Sequence, residues 1–308
     1  MSRPAISVIV PFHNAAATLG DAIESLAASS CREIEVLAVD DASTDGGGEI
    51  VRGFAARDAR VRCLRNPANR GVSFSRNRGL DEAAGDRLAF VDADDRVSPD
   101  WLAHLLADAR ESGAEVVIGR SRRVCGGTES VYRMEGLRRR GSLDFRQIVF
   151  KDNSVVWNKL YAASLIRRLR LRFDESLSIG EDLLFNFQAL HAARGIFYGG
   201  RGSYIHRADN PSSLMRGTDP AGRVAQYARL LERLDAAARA AGLPRHPVLR
   251  KVARDLLMDH YRSGTPPPDP ATLALIRGLS ATLPFRVRAS VFRKNLRRRL
   301  AGRPPTPA

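Results

Sequence analysis

Short apolar runs and amphipathic segments alternate along the first 120 residues. Ile6, Val8, Ile9 and Val10 form a β-branched run ended by Pro11, the pattern of a buried strand. Leu19, Ala22, Ile23 and Leu26 then recur at helical spacing, with Asn14 or Thr18 as the expected cap. "IEVLAV" (34–39) predicts a second strand, "VRCL" (61–64) a weaker third and "RLAFV" (87–91) a fourth. Between the last two, "VSFSRNRGLDEAA" predicts a helix that shows Val72, Leu80 and Ala83 to the core. Ser98 and Pro99 supply an N-cap and first-turn proline for a helix carrying Trp101, Leu102, Leu105 and Leu106, and "EVVIG" (115–119) closes the series. Near-continuous apolar strands separated by amphipathic helices predict an α/β fold, with a mostly parallel central sheet flanked by helices. In such sheets ligands bind outside the carboxyl ends of the strands, so the residues after each strand are where chemistry is sought.

From about 120 to 215 the regularity weakens, with basic clusters at Arg120, Arg122 and Arg123 and at Arg138, Arg139 and Arg140, and a helix over "EDLLFNFQALHAA" (181–193). This part completes the same domain and frames a cleft. Beyond it the pattern is helical and alanine-rich, broken by "TPPPDP" (265–270). The expected organisation is one catalytic domain over 1–220 and a helical, basic C-terminal extension over 221–308.

The 308 residues agree with about two domains at roughly 150 residues each. Hydrophobic residues at 44% and charged residues at 27% exclude global disorder and a disulfide-dense miniprotein. Lys and Arg number 49 against 34 Asp and Glu, a net charge of +15, and only Lys151, Lys159, Lys251 and Lys294 are lysines. An arginine excess suits phosphate-bearing partners, namely nucleotides, nucleic acid or an anionic membrane surface, and arginine-rich codon usage accounts for it equally well. Cys31, Cys63 and Cys125 make no CxxC pair, so neither a disulfide framework nor a zinc site is expected, and a reducing cytoplasm fits. No apolar run approaches the roughly 20 residues of a membrane span, and the N-terminus shows no signal-peptide pattern. A cytoplasmic location is the expectation.

The second strand runs into Asp40, Asp41, Ala42, Ser43, Thr44, Asp45, and the fourth into Asp92, Ala93, Asp94, Asp95. Carboxylates at neighbouring strand ends repel unless a cation or a hydrogen-bonding ligand offsets them. Oxygen ligands of this kind suit Mg²⁺ or Mn²⁺ bound through one or two carboxylates plus substrate phosphates. Neither G-x-G-x-x-G after the first strand nor G-x-x-x-x-G-K-[ST] occurs, which removes the dinucleotide and P-loop readings.

"ISVIVPFHNAAATL", "IEVLAVDDASTDGG", "NRGVSFSRNRGL", "RLAFVDADD" and "IGEDLLF", in this order and at these spacings, resemble a bacterial glycosyltransferase of family 2 with the GT-A fold. The resemblance covers about residues 4–215 and implies an inverting, metal-dependent transferase. It would move a sugar from a nucleotide sugar, expected to be UDP-linked, to a glycan or lipid-linked acceptor in cell-surface polysaccharide synthesis. It further implies that Pro11, Phe12 and His13 line the base pocket and that Asp41 accepts a hydrogen bond from the base. Where the family has Tyr-Asn, this chain has His13-Asn14 or Phe12-His13. Arg76 is expected on the diphosphate, because its fork matches phosphate geometry. By the same resemblance Asp92 lies near the ribose and Asp94 on a divalent metal, Mn²⁺ or Mg²⁺, with Asp95 close by. Asp182 is the general base, beside Glu181 at a helix N-terminus that favours ionised carboxylates.

Trp157, Asn158, Lys159 and Glu181 are read as contacts to acceptor or donor sugar, with Trp157 as a core residue the equal alternative. His206 and Arg207 are expected to reach the metal or diphosphate from a closing loop. The last 24 residues hold eight cations and no acid. On a helix, Phe285, Ala289, Phe292, Leu296 and Leu300 fall on one stripe flanked by arginines, so residues 285–303 either lie on the inner face of an anionic membrane or pack on the catalytic domain. Two other classes compete: a nucleotidyltransferase acting on a sugar phosphate, and a basic nucleic-acid-binding protein. Nucleic acid is not the expected partner, since acids cluster where a phosphate-binding groove is positive.

Overall fold

A computed structural model describes residues 3–132, 139–148, 154–209, 219–244, 246–263 and 268–280. The chain divides into two compact units, Met1–Pro211 and Ser212–Ala308.

The first unit is built on an eight-stranded sheet of order β3-β2-β1-β4-β10-β6-β11-β9. Its strands are β1 (Ile6–Phe12), β2 (Ile34–Asp40), β3 (Val61–Arg65), β4 (Arg87–Phe90), β6 (Val116–Ile118), β9 (Gly141–Leu143), β10 (Lys159–Ala162) and β11 (Ile196–Tyr198). The pairs joining β3, β2, β1 and β4 are parallel, and β10 runs antiparallel between β4 and β6. All seven residues of β1 are buried, as a strand covered on both faces requires. Register aligns Phe12 with Asp40 and Ile9 with Phe90, so the polar segments after β1, β2 and β4 leave the sheet at one edge.

Helices α1 (Ala16–Ala27), α2 (Gly47–Ala55), α3 (Val72–Glu82), α4 (Trp101–Ser112), α5 (Ala163–Leu169) and α6 (Glu181–Ala192) complete the unit. Neither Asn14 nor Thr18 caps α1. The Asp45 carboxylate does so from the next loop, accepting from Ala16 N at 2.7 Å and from Gly47 N at the start of α2 at 3.0 Å. Helix α4 starts at Trp101 behind Asp100, while the Ser98 hydroxyl binds the Asp100 carboxylate at 2.6 Å. In α3 the expected apolar face is only half-buried, and the buried residues are Ser73, Ser75, Arg76, Asn77 and Gly79. The reason is tertiary. Gly79 lets α3 approach β1 so closely that a Cβ there would stand 2.4 Å from Ile9 Cγ2, and Asn77 exchanges two hydrogen bonds with the Phe173 backbone.

A second sheet of order β5-β12-β7-β8 joins β5 (Arg96–Val97), β7 (Ser121–Cys125), β8 (Thr128–Tyr132) and β12 (Tyr204–Arg207). β7 and β8 form a hairpin turning at Gly126 and Gly127, both with positive φ, the conformation a two-residue turn needs.

The second unit contains α7 (Pro220–Ala240), α8 (Pro247–Ser263) and α9 (Pro270–Ser280). Asp219 caps α7 by accepting from Ala221 N and Gly222 N, with Pro220 in the first turn. Leu230, Leu231 and Leu234 of α7 and Leu249, Val252 and Leu256 of α8 are buried. The basic stripe over 285–303 and the "TPPPDP" segment up to Pro267 lie outside the described residues, as does Arg138. No helix among the described residues is long and apolar enough to cross a membrane.

Candidate active site

The acidic segment after β4 is a tight turn in which Asp95 N donates to the Asp92 carbonyl at 3.1 Å. Asp95 is 1% exposed and serves as an internal anchor. Its carboxylate accepts from the Tyr204 hydroxyl at 2.7 Å and from Arg207 N at 2.7 Å, and lies 3.3 Å from His206 Nδ1. The Tyr204 hydroxyl also accepts from Asp92 N at 3.1 Å, which ties β12 to the Asp92–Asp95 turn. His206 and Arg207 therefore sit on a strand, not on a loop. The hydrogen bond to Asp95 raises the His206 pKa, against burial. Asp94 is half-buried in the same turn.

Arg76 occupies the centre of the site and is 3% exposed. One terminal nitrogen lies 2.7 Å from Asp182 Oδ1 and 3.0 Å from Glu181 Oε1, and the other 3.1 Å from Asp92 Oδ1. Its guanidinium also stands 5.2 Å from the Phe173 ring. Burial alone would lower its pKa, and the carboxylates of Asp182, Asp92 and Glu181 raise it instead. The terminal nitrogens expected on a diphosphate thus face carboxylates, because the acids of α6 and β4 surround the buried face of α3.

Glu181 and Asp182 open α6 behind Gly180, whose φ of 82° makes the turn into the helix. Asp182 Oδ2 accepts from Val156 N at 3.3 Å. Burial pushes the Asp182 carboxyl up to about 6, with Glu181 adding to the rise and Arg76, the Val156 amide and Lys159 opposing it. Burial likewise pushes Asp92 up to about 7, against Arg76 and reinforced by Asp95, Asp182 and Asp94.

At the ends of β1 and β2 the two loops are stitched together. His13 Nδ1 lies 2.8 Å from the Asp41 carbonyl, Asn14 N donates to the Ser43 hydroxyl and Thr44 N to Asn14 Oδ1. His13 is exposed, whereas Pro11 and Phe12 are buried in β1 and Phe12 belongs to the core. The Asp41 carboxylate is 3% exposed and accepts from Asn66 Nδ2, Arg70 N and Gly71 N. It thereby anchors the loop before α3. Asp40 accepts from Ser43 N at 2.7 Å and pairs with Arg65.

Trp157, Asn158 and Lys159 lie inside the protein, at 5%, 0% and 0% exposure, where the entry to β10 runs between two strands. The Trp157 ring stacks with Tyr204 at 4.4 Å and with His206 at 5.4 Å. Asn158 Oδ1 accepts from Lys159 Nζ at 2.7 Å. The contacts that the structure gives these three residues, read from the sequence as sugar-binding, lie within the fold. Sequence reasoning passed over Tyr204 and Val156. A buried tyrosine beside His206 in "GSYIHR" was the available signal for the first; a backbone amide carries none.

Among the described residues, no group of three or more His, Cys, Asp and Glu side chains is placed to hold a metal ion.

Residues 7–171 match the family model for glycosyl transferase family 2. The uncharacterized glycosyltransferase EpsJ of Bacillus subtilis is 32% identical over 228 residues, 68% of this chain and 63% of that protein. The succinoglycan biosynthesis protein ExoO of Rhizobium meliloti is 32% identical over 197 residues, 61% of this chain and 56% of that one. The chain thus spans less than two thirds of the length of these relatives. Among solved structures, S. aureus TarS in complex with UDP-GlcNAc is similar with a TM-score of 0.68 at 22% identity, over 83% of this chain and 72% of that one. The mannosyltransferase PcManGT of Pyrobaculum calidifontis, in complex with GDP-Man and Mn²⁺, gives 0.57 at 16% identity over 96% and 85%. With more than half of its length matched and both acidic strand ends inside the match, the chain belongs to glycosyl transferase family 2 and has the GT-A fold.

Proposed function

We propose that the protein transfers a sugar from a nucleotide sugar, UDP-linked, to a hydroxyl of a glycan or lipid-linked acceptor in polysaccharide synthesis, with inversion at the anomeric carbon. The observation that carries this reading is the convergence of Asp92 after β4 with Glu181 and Asp182 at the start of α6 on the Arg76 guanidinium. A donor-side carboxylate and a candidate base are thereby held within the span of one side chain. Succinoglycan biosynthesis in the name of ExoO, and UDP-GlcNAc bound to TarS, support the pathway and the donor class.

Asp182 is the general base in this reading. Arg76 engages one of its oxygens and the Val156 amide the other, and each oxygen retains a lone pair for an acceptor hydroxyl. The carboxylate takes the hydroxyl proton as the oxygen bonds to the anomeric carbon. On the opposite face the bond from that carbon to the diphosphate oxygen breaks, and the nucleoside diphosphate leaves with the electron pair. In this reading His13, exposed after β1, meets the base, and Asp41, which holds Arg70 and Gly71, shapes that pocket.

The donor set fits a hard cation that takes few protein ligands and completes its shell with diphosphate oxygens. Asp94 and His206 would hold it. With Asp95 beside His206 Nδ1, Nε2 would be the nitrogen offered to a metal. A bound Mn²⁺ or Mg²⁺ would neutralise charge developing on the leaving diphosphate.

The test is thermal unfolding with UDP, GDP, CDP and dTDP, each with and without Mn²⁺, on the wild type and on Asp94→Ala. A nucleotide at a hundred times its Kd adds about 2.7 kcal/mol. Stabilisation by UDP that needs both Mn²⁺ and Asp94 supports the reading; no stabilisation of the wild type by any of the four overturns it.

A further inference from the structure

Lys159 is a fully buried amine that the mechanism above does not use; burial pulls its pKa down to about 7, and the charge of Asp182 opposes that fall. Its Nζ donates to the Val155 carbonyl at 2.6 Å and to Asn158 Oδ1 at 2.7 Å. The Val155 carbonyl and the Val156 N–H belong to one peptide group, and that N–H donates to Asp182 Oδ2. Asn186 Nδ2 donates to the same carbonyl at 2.8 Å and to the Ser154 carbonyl at 2.8 Å, while its Oδ1 accepts from the Tyr161 hydroxyl at 2.7 Å. Two donors therefore act on the oxygen of a peptide whose N–H holds the carboxylate. A peptide is planar and conjugated, so drawing electron density toward its oxygen makes its N–H a stronger donor. A charged donor does this more strongly than a neutral one.

Arg76 from α3 engages Asp182 Oδ1, whereas Glu181 from α6 and Asp92 after β4 disfavour the anion, and Tyr161 from β10 also feels its charge. Burial penalises the charged form of Lys159, and the Val155 carbonyl, Asn158 Oδ1 and the charge of Asp182 offset that penalty.

We propose that Lys159 is a positioning residue for Asp182, acting through the Val155–Val156 peptide to fix the orientation of the carboxylate and favour its ionised form without touching substrate. The inference rests on the reading of Asp182 as the base.

The experiment follows the side-chain carboxyl ¹³C resonance of Asp182 and the amide proton of Val156 by NMR in the full chain without metal, through a pH titration. Wild type is compared with Lys159→Met, which keeps the length and removes charge and donors, and Lys159→Gln, which keeps a neutral donor. In Lys159→Met the proton affinity of Asp182 rises about threefold or more and the Val156 amide proton moves upfield; Lys159→Gln gives a smaller change of the same sign. An unchanged Asp182 midpoint and Val156 resonance in Lys159→Met overturn the proposal. Should that variant not fold, unchanged values in Lys159→Gln overturn it equally. Sugar transfer retained by Asp182→Asn would sink the base assignment instead, and the titration would still report whether Lys159 and Asp182 are coupled.

Discussion

Three carboxylates meet at Arg76, whose side chain is 4% exposed, and removing the cation leaves them without their shared counter-charge. Arg76→Met is expected to lower stability by about 3–5 kcal/mol near pH 7.5, the cost of breaking a buried charge network. The raised values of Asp92 and Asp182, about 7 and about 6, give the sign of the pH dependence. The folded state binds these protons more tightly than the unfolded chain. Their contribution is therefore complete below the ordinary carboxylate range near 3.8 and is lost as pH rises through 6 and 7. Thermal unfolding of the metal-free protein is expected to show Tm falling between pH 5 and pH 8, more steeply in Arg76→Met. Catalysis runs the other way. The base works only when ionised, so the transfer rate falls as pH drops below about 6, and Asp182→Asn lowers kcat by about 100-fold or more while nucleotide binding persists. Residue type and position along the chain made Asp92 and Asp182 legible in the sequence. That Arg76 joins them was not, because Arg76 and Glu181 are 105 residues apart and no local pattern pairs them.

At the scale of elements, α3 and the β2–α2 loop depart furthest from local rules. Helical periodicity put Val72, Leu80 and Ala83 inside, yet α3 buries its polar side, because that side satisfies the acids and the Phe173 backbone. Its contact with β1 depends on a missing side chain. Gly79→Ala gains up to about 1 kcal/mol of helix propensity. It nevertheless sets a Cβ at 2.4 Å from a stiff, fully buried isoleucine, so a net loss of about 1–3 kcal/mol is expected. Ile9→Ala in the same chain removes the clashing methyl. Unfolding of the two single variants and the double variant then shows a double-variant loss smaller than the sum. Asp45 serves two helices from one loop, and Asp45→Ala should cost about 1–2 kcal/mol, read from the same unfolding curves. Asn14 and Thr18 satisfied the rule for a cap by proximity in sequence. The fold supplied a better placed carboxylate 29 residues downstream.

At the scale of the whole molecule, the described helices of the second unit are those the alanine-rich pattern predicts, whereas the basic stripe over 285–303 lies beyond them. Its eight cations and the apolar residues among them suit the first of the two expectations for this segment, a peripheral contact with an anionic membrane. Deleting residues 285–308 is expected to shift the protein from the membrane to the soluble fraction, and an unchanged distribution would contradict the contact. By itself the sequence determined the strands β1, β2, β4 and β6, most of the helices, the acidic segments at the strand ends and membership of the family. Each of these is written in residues that are neighbours along the chain, as periodicity, β-branching or a short motif. Only the tertiary structure decided that Asp41 and Asp95 are internal anchors, that Trp157, Asn158 and Lys159 are buried, that the second sheet ties Tyr204 to the Asp92 turn, and that Arg76 faces carboxylates. Burial and hydrogen-bond partnership are set by segments a hundred residues distant, and a polar side chain carries no mark of whether its partner is a ligand or the protein itself.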